Sequence, residues 1–154
     1  MTESVLGVKT RPQGTFGAGS EFKDAGLVDT PAAATVDATA QVIDVGTGLY
    51  AGKMIIDVSA LEIADTDEIY DIVVQGSTVA AFATDASIVE LAQLSLSAKE
   101  VKRTDSNKDD STGRYKIYFD NENDGTYYRY LRVYTVVDGT MTDGINYTAY
   151  AVKL

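Results

Sequence analysis

Cysteine, histidine and tryptophan are absent from all 154 residues. Without cysteine there is no disulfide framework and no thiol nucleophile. Without histidine the usual general base near neutral pH is missing, and zinc sites with Cys or His ligands are excluded. Any catalysis would rest on Asp, Glu, Lys, Tyr or Ser. Proline is almost missing too: Pro12 and Pro31 are the only two. Basic residues are scarce, 13 against 23 acidic, for a net charge of −10. That balance argues against nucleic-acid and anionic-membrane partners, which both need basic patches facing phosphate. No apolar run approaches the length of a membrane-spanning helix. Met1-Thr-Glu-Ser-Val-Leu-Gly-Val-Lys9 has no apolar signal core, so a soluble product made in the cytoplasm is expected.

An ordinary apolar fraction of 45% in a chain of this length suits one globular domain. Residues 127–137, Tyr-Tyr-Arg-Tyr-Leu-Arg-Val-Tyr-Thr-Val-Val, alternate with a period of two. Leu131, Val133 and Val137 share a side with Tyr127, Arg129 and Thr135, whereas Tyr128, Tyr130, Arg132, Tyr134 and Val136 take the other. A run so rich in aromatic and β-branched residues reads as a long strand. The first face is expected to be core, and Tyr128, Tyr130 and Tyr134 to meet the second layer or a neighbouring subunit. Turn residues 138–144 follow, then a second strand over 145–152. Further strands are expected at 41–45, 53–63, 69–75, 88–96 and 114–119, separated by polar turns. Seven or eight strands with short connections and no clear helix predict an all-β antiparallel β-sandwich or jelly roll.

Residues 1–39 break this pattern, with five glycines and both prolines among isolated apolar residues. They read either as a flexible tail or as an extended N-terminal arm that orders on a partner. Extended at roughly 3.3 Å per residue, they would reach on the order of 100 Å. Val5, Leu6, Phe16, Phe22 and Leu27 are the candidate apolar anchors. The domain division expected is therefore 1–39 and 40–154.

Motifs with chemistry are weak. Asp120-x-Glu122-x-Asp124-Gly125 resembles the start of a calcium loop, but Leu131 stands where the bidentate Glu belongs, so an acidic turn is the first reading. Asp105-x-Asn107-x-Asp109 is weaker for want of the Gly. Asp65, Asp67 and Glu68 crowd one turn, where carboxylates are usually solvated rather than paired across a cleft. No metal site and no cofactor are expected. Six tyrosines lie between Tyr115 and Tyr134, beside Arg129 and Arg132. They fit core and interface positions first and a sugar-stacking platform second. Asn146-Tyr-Thr148 matches a glycosylation acceptor but falls inside the last expected strand.

Four stretches carry a family resemblance: Gln41-Val-Ile-Asp-Val-Gly46, Ile72-Val-Val-Gln-Gly-Ser77, Arg129-Tyr-Leu-Arg-Val-Tyr-Thr-Val136 and Asp138-Gly-Thr-Met-Thr-Asp-Gly-Ile145. Together, and in this order, they resemble the small jelly-roll cement, or decoration, proteins of tailed-phage capsids, of the kind carried by a Bordetella phage. The segment before residue 40 departs from that family's compact start. The resemblance implies a structural virion protein on the outer capsid surface. Its partners would be the major capsid protein and itself, as a homodimer or homotrimer, with no nucleic acid and no membrane. The arm, together with Tyr128, Tyr130 and Tyr134, would supply the contacts. No enzymatic activity is expected. The alternative is a carbohydrate-binding β-sandwich module of a phage tail or cell-surface assembly.

Overall fold

The computed structural model describes residues 20–99 and 108–154. Fourteen strands follow in chain order: β1 (Glu21–Lys23), β2 (Leu27–Val28), β3 (Ala32–Ala33), β4 (Thr35–Val36), β5 (Thr39–Ala40), β6 (Ile43–Asp44), β7 (Ala51–Leu61), β8 (Ile69–Ser77), β9 (Ile88–Ser97), β10 (Gly113–Asp120), β11 (Glu122–Asn123), β12 (Thr126–Tyr127), β13 (Tyr130–Asp138) and β14 (Ile145–Lys153). A short 3-10 turn, Asp85–Ser87, precedes β9. No helix among the described residues is long and apolar enough to cross a membrane.

The long strands form two antiparallel sheets. The first has the order β1-β14-β7-β10, with β2 also on β14. The second has the order β3-β13-β8-β9, with β6 also on β13. From β7 onward the chain crosses between sheets at every connection except the β8–β9 hairpin and the small β11–β12 hairpin. This is jelly-roll connectivity, two five-stranded sheets whose four-strand paths wind from one folded-over ribbon. The all-β sandwich read from periodicity is the fold.

Alternation builds the core. On β13, Leu131, Val133, Thr135 and Val137 are all buried. They lie opposite Gly76, Val74, Ile72 and Tyr70 of β8. From the first sheet, Met54, Ile56 and Val58 of β7 meet Ile145, Tyr147, Ala149 and Ala151 of β14 in the same cluster. Small Ala149 and Ala151 beside large Met54 and Ile56 let the layers interdigitate at native density. The hydroxyls of Tyr147 and Thr135 lie 2.6 Å apart, satisfying each other inside this core.

Two expectations are corrected. The division at residue 40 does not hold, because β1 pairs with β14 and β3 pairs with β13. Residues 21–39 therefore belong to the sandwich. Phe22, expected as an anchor on a partner, is 1% exposed and part of the core cluster. Val5, Leu6 and Phe16 lie outside the described residues.

Antiparallel winding sorts the connections to two ends. Residues 46–50, 78–87 and 121–129 meet at one, with the C-terminal Leu154, whose N–H donates to the Ala51 carbonyl. Residues 62–68 and 139–144 meet at the other, beside 26–30 and the start of the β9–β10 connection.

Candidate functional site

The outer face of the second sheet carries a built surface. Opposite partners Arg132 and Gln75, then Gln75 and Glu90, form one row across β13, β8 and β9. The Arg132 Nε donates to Gln75 Oε1 at 2.9 Å. Its guanidinium stacks over the Phe82 ring at 4.3 Å and lies 5.3 Å from the Tyr134 ring. Phe82 comes from the 78–87 connection, which folds back over the sheet with a left-handed backbone at Phe82 (φ 47°). Burial holds the Arg132 pKa below its ordinary value, against a smaller opposing influence from Tyr134. Gln75, Ile88, Glu90, Arg132 and Tyr134 line an open groove of about 400 Å³. Such a cationic, aromatic groove can stack and hydrogen-bond a planar or polyhydroxylated ligand.

The predicted tyrosines do not all share this face. Tyr130 and Tyr134 do, half-buried, with Arg129 5.4 Å from the Tyr130 ring. Tyr128 does not. The strand is interrupted at Tyr128 and Arg129, and β13 begins only at Tyr130. A Cβ added to Gly76, opposite core residue Leu131, would lie 2.8 Å from the Tyr128 Cβ. Tyr128 therefore packs over the interior side of the sheet end. Asn121, fully buried, fixes this break: its Nδ2 donates to the carbonyls of Gly48 and Tyr128, and its Oδ1 accepts from Tyr50 N–H. Arg129 turns instead to Asp44, forking onto both carboxylate oxygens at 2.8 Å. That fork, helped by the Gly46 N–H, lowers the Asp44 pKa to about 2. Leu27 stands 58% exposed.

At the 62–68 end the turn of Asp65, Asp67 and Glu68, read from the sequence as solvated, is joined by Glu62, which sequence reading did not single out. Carboxylate oxygens of Glu62, Asp65 and Glu68 lie within 4.8 Å of one another. Glu62 accepts backbone N–H bonds from Gly144, Asp143 and Thr142 at 2.7, 2.7 and 2.9 Å. These bonds, Gly144's foremost, hold its pKa below the ordinary carboxylate value. Asp67 takes the Thr140 N–H and hydroxyl at 3.0 and 2.9 Å, with the same effect. Glu68 is 0% exposed. Its Oε1 accepts the Asp65 N–H at 2.7 Å, while its Oε2 has no partner. The turn expected to be solvated thus holds a fully buried carboxylate.

A third polar position is structural. Lys23 is 4% exposed, with its ammonium 4.6 Å from the Tyr147 ring centre. Its three protons go to the carbonyls of Asp24, Gly26 and Tyr147 at 2.9, 3.0 and 3.1 Å. Burial lowers its pKa, against a smaller opposing pull from Asp24. The neighbouring cavity of about 210 Å³ is lined by residues of 23–35 and Thr135. With every donor committed, this lysine ties the β1–β2 turn to β14 rather than presenting chemistry.

No protein-family model matches the chain, and no curated protein matches it.

Proposed function

We propose that the protein is a capsid cement, a structural virion protein that binds the outer shell of a tailed bacteriophage and bridges capsomers as a homo-oligomer. The observation that carries this reading is the placement of exposed apolar side chains. Leu49, Val79, Tyr127 and Leu154 are 61%, 50%, 48% and 49% exposed. All four lie at the same end, three on separate connections and Leu154 at the C-terminus, whereas Tyr118 on β10 and Leu27 at the other end are exposed singly. Isolated exposed apolar residues are ordinary; four converging at one end of a small domain mark a contact surface. The opposite end gathers Glu62, Asp65, Asp67 and Glu68, and the apolar end also carries the exposed acidic 120–125 turn, so the protein would dock by the end richer in exposed apolar side chains. The four-stretch resemblance over residues 41–145 leads to the same function, and the jelly roll agrees with the fold it implies. Repetition over a shell makes modest single contacts effective.

The test is co-sedimentation with purified shells lacking this protein. Wild type should saturate at a fixed ratio to the major capsid protein. Leu49→Asp and Tyr127→Asp should weaken attachment by about tenfold or more, as expected for charges placed in an apolar contact. Absence of binding, or undiminished binding by both variants, contradicts the reading.

One observation favours the carbohydrate-binding alternative: the groove in which Arg132 stacks between Phe82 and Tyr134. Glycan-array binding abolished by Arg132→Ala would support it in place of cementing.

A further inference from the structure

We propose that Glu62, Asp65 and Glu68 form a binding site for a hard divalent cation, calcium before magnesium, that fastens the β7–β8 connection to the β13–β14 connection.

Two independent observations meet here. The first is the cluster itself, three carboxylates with oxygens within 4.8 Å of one another. No hydrogen bond joins one carboxylate to another, and the donors they do have are backbone N–H groups rather than cationic side chains. The second is the burial of Glu68 with Oε2 unsatisfied. An unpaired buried carboxylate oxygen is among the costliest groups a fold can hold. A cation relieves both costs together.

The donor set selects the ion. All-oxygen, anionic ligands suit calcium or magnesium rather than zinc or copper. Calcium–oxygen bonds of about 2.3–2.6 Å let two ligands of one ion stand up to roughly 5 Å apart, whereas magnesium bonds of about 2.0–2.1 Å allow only roughly 4 Å. Oxygens that all lie within 4.8 Å of one another fit the first range as they stand. Glu62 is pre-positioned: its Oε2 is held by the N–H groups of residues 142–144, leaving Oε1 the freer oxygen. Asp65 is exposed and on the same turn, so solvent can complete the shell. The cation would join two connections that are already in contact, since the Glu62 N–H donates to the Gly144 carbonyl at 3.0 Å. The site stands apart from the apolar end and does not depend on the capsid reading.

The test is thermal unfolding and isothermal titration of the full-length chain, stripped with EDTA and then given calcium chloride or magnesium chloride alone. Calcium should raise the melting temperature and titrate at one ion per chain. Magnesium should do so more weakly. Asp65→Asn, a change on an exposed turn that keeps the fold, should weaken calcium binding by roughly tenfold or more, because affinity in oxygen sites follows ligand charge. Glu68→Gln should also lose the calcium response, and Asp124→Asn in the 120–125 turn should keep it. No heat and no melting shift with calcium would overturn the proposal. So would a response that survives Asp65→Asn or is lost in Asp124→Asn.

Discussion

Gly144 and Gly125 hold left-handed backbone at nearly the same φ, 77° and 78°. They differ in what surrounds them. A Cβ on Gly144 would fall 2.1 Å from the Val28 carbonyl oxygen, whereas one on Gly125 meets nothing within 4 Å. Both alanine variants incur the backbone strain, about 1–2 kcal/mol. Only Gly144→Ala adds a steric clash with backbone, on the order of 1–3 kcal/mol more. Urea denaturation should therefore show Gly144→Ala clearly less stable than Gly125→Ala, and equal losses would count against the packing of residues 26–30 on the 139–144 turn. Neither contrast was readable in the sequence, where both positions are simply Asp-Gly pairs in turns. The same blindness applies to Glu68 and Phe22. Burial of a turn carboxylate is decided by which loops cross over it, and Phe22 sits in a three-residue strand, too short for any period to declare itself.

At the scale of the element, β13 shows what alternation can and cannot give. Its core face, Leu131 to Val137, was legible because a half-buried strand imposes a period of two. Its beginning was not. Tyr127 to Tyr130 continue the pattern in type, yet the β11–β12 hairpin and the Asn121 bonds break the strand and turn Tyr128 inward. The N-terminal strands were hidden for a related reason: β1 to β6 are two or three residues each and are specified by partners far along the chain. They set a clear expectation for truncation. Removing residues 1–19 should leave a cooperatively folded sandwich. Removing residues 1–35 should not, since it deletes β1, β2, β3, the Phe22 ring and the Lys23 anchor. Loss of a buried Phe alone typically costs about 3–5 kcal/mol. Circular dichroism melts of the two truncations compare them directly, and a shorter chain that melts like the longer one would return residues 21–35 to the status of an arm.

Across the whole molecule, Leu49, Val79, Tyr127 and Leu154 are exposed at one end, beside the acidic 120–125 turn, and Glu62, Asp65, Asp67 and Glu68 gather at the other. Its response to acid follows from the carboxylates. Asp44 is lowered to about 2, chiefly by the Arg129 fork. Asp57 is lowered chiefly by Arg114, Glu62 by the Gly144 N–H and Asp67 by the Thr140 N–H. In each case the unfolded chain binds its proton at a higher pH than the folded one. Their contribution is thus complete above the ordinary carboxylate range and is lost as pH falls through the depressed values. Urea midpoints should hold steady from about pH 7 to 5 and drop between about 4 and 2. A decline already under way above pH 5 would contradict these pairings. Under the proposed function, the end with Leu49, Val79, Tyr127 and Leu154 is the face to be covered. The most direct measurement is a reconstruction of capsids decorated with this protein. The result expected is density for the jelly roll over capsomer boundaries, with Leu49, Val79 and Tyr127 against the shell or a neighbouring copy and the Glu68 end facing solvent. Shells that carry no such density at saturating protein, or density with the apolar end pointing into solvent, would contradict it.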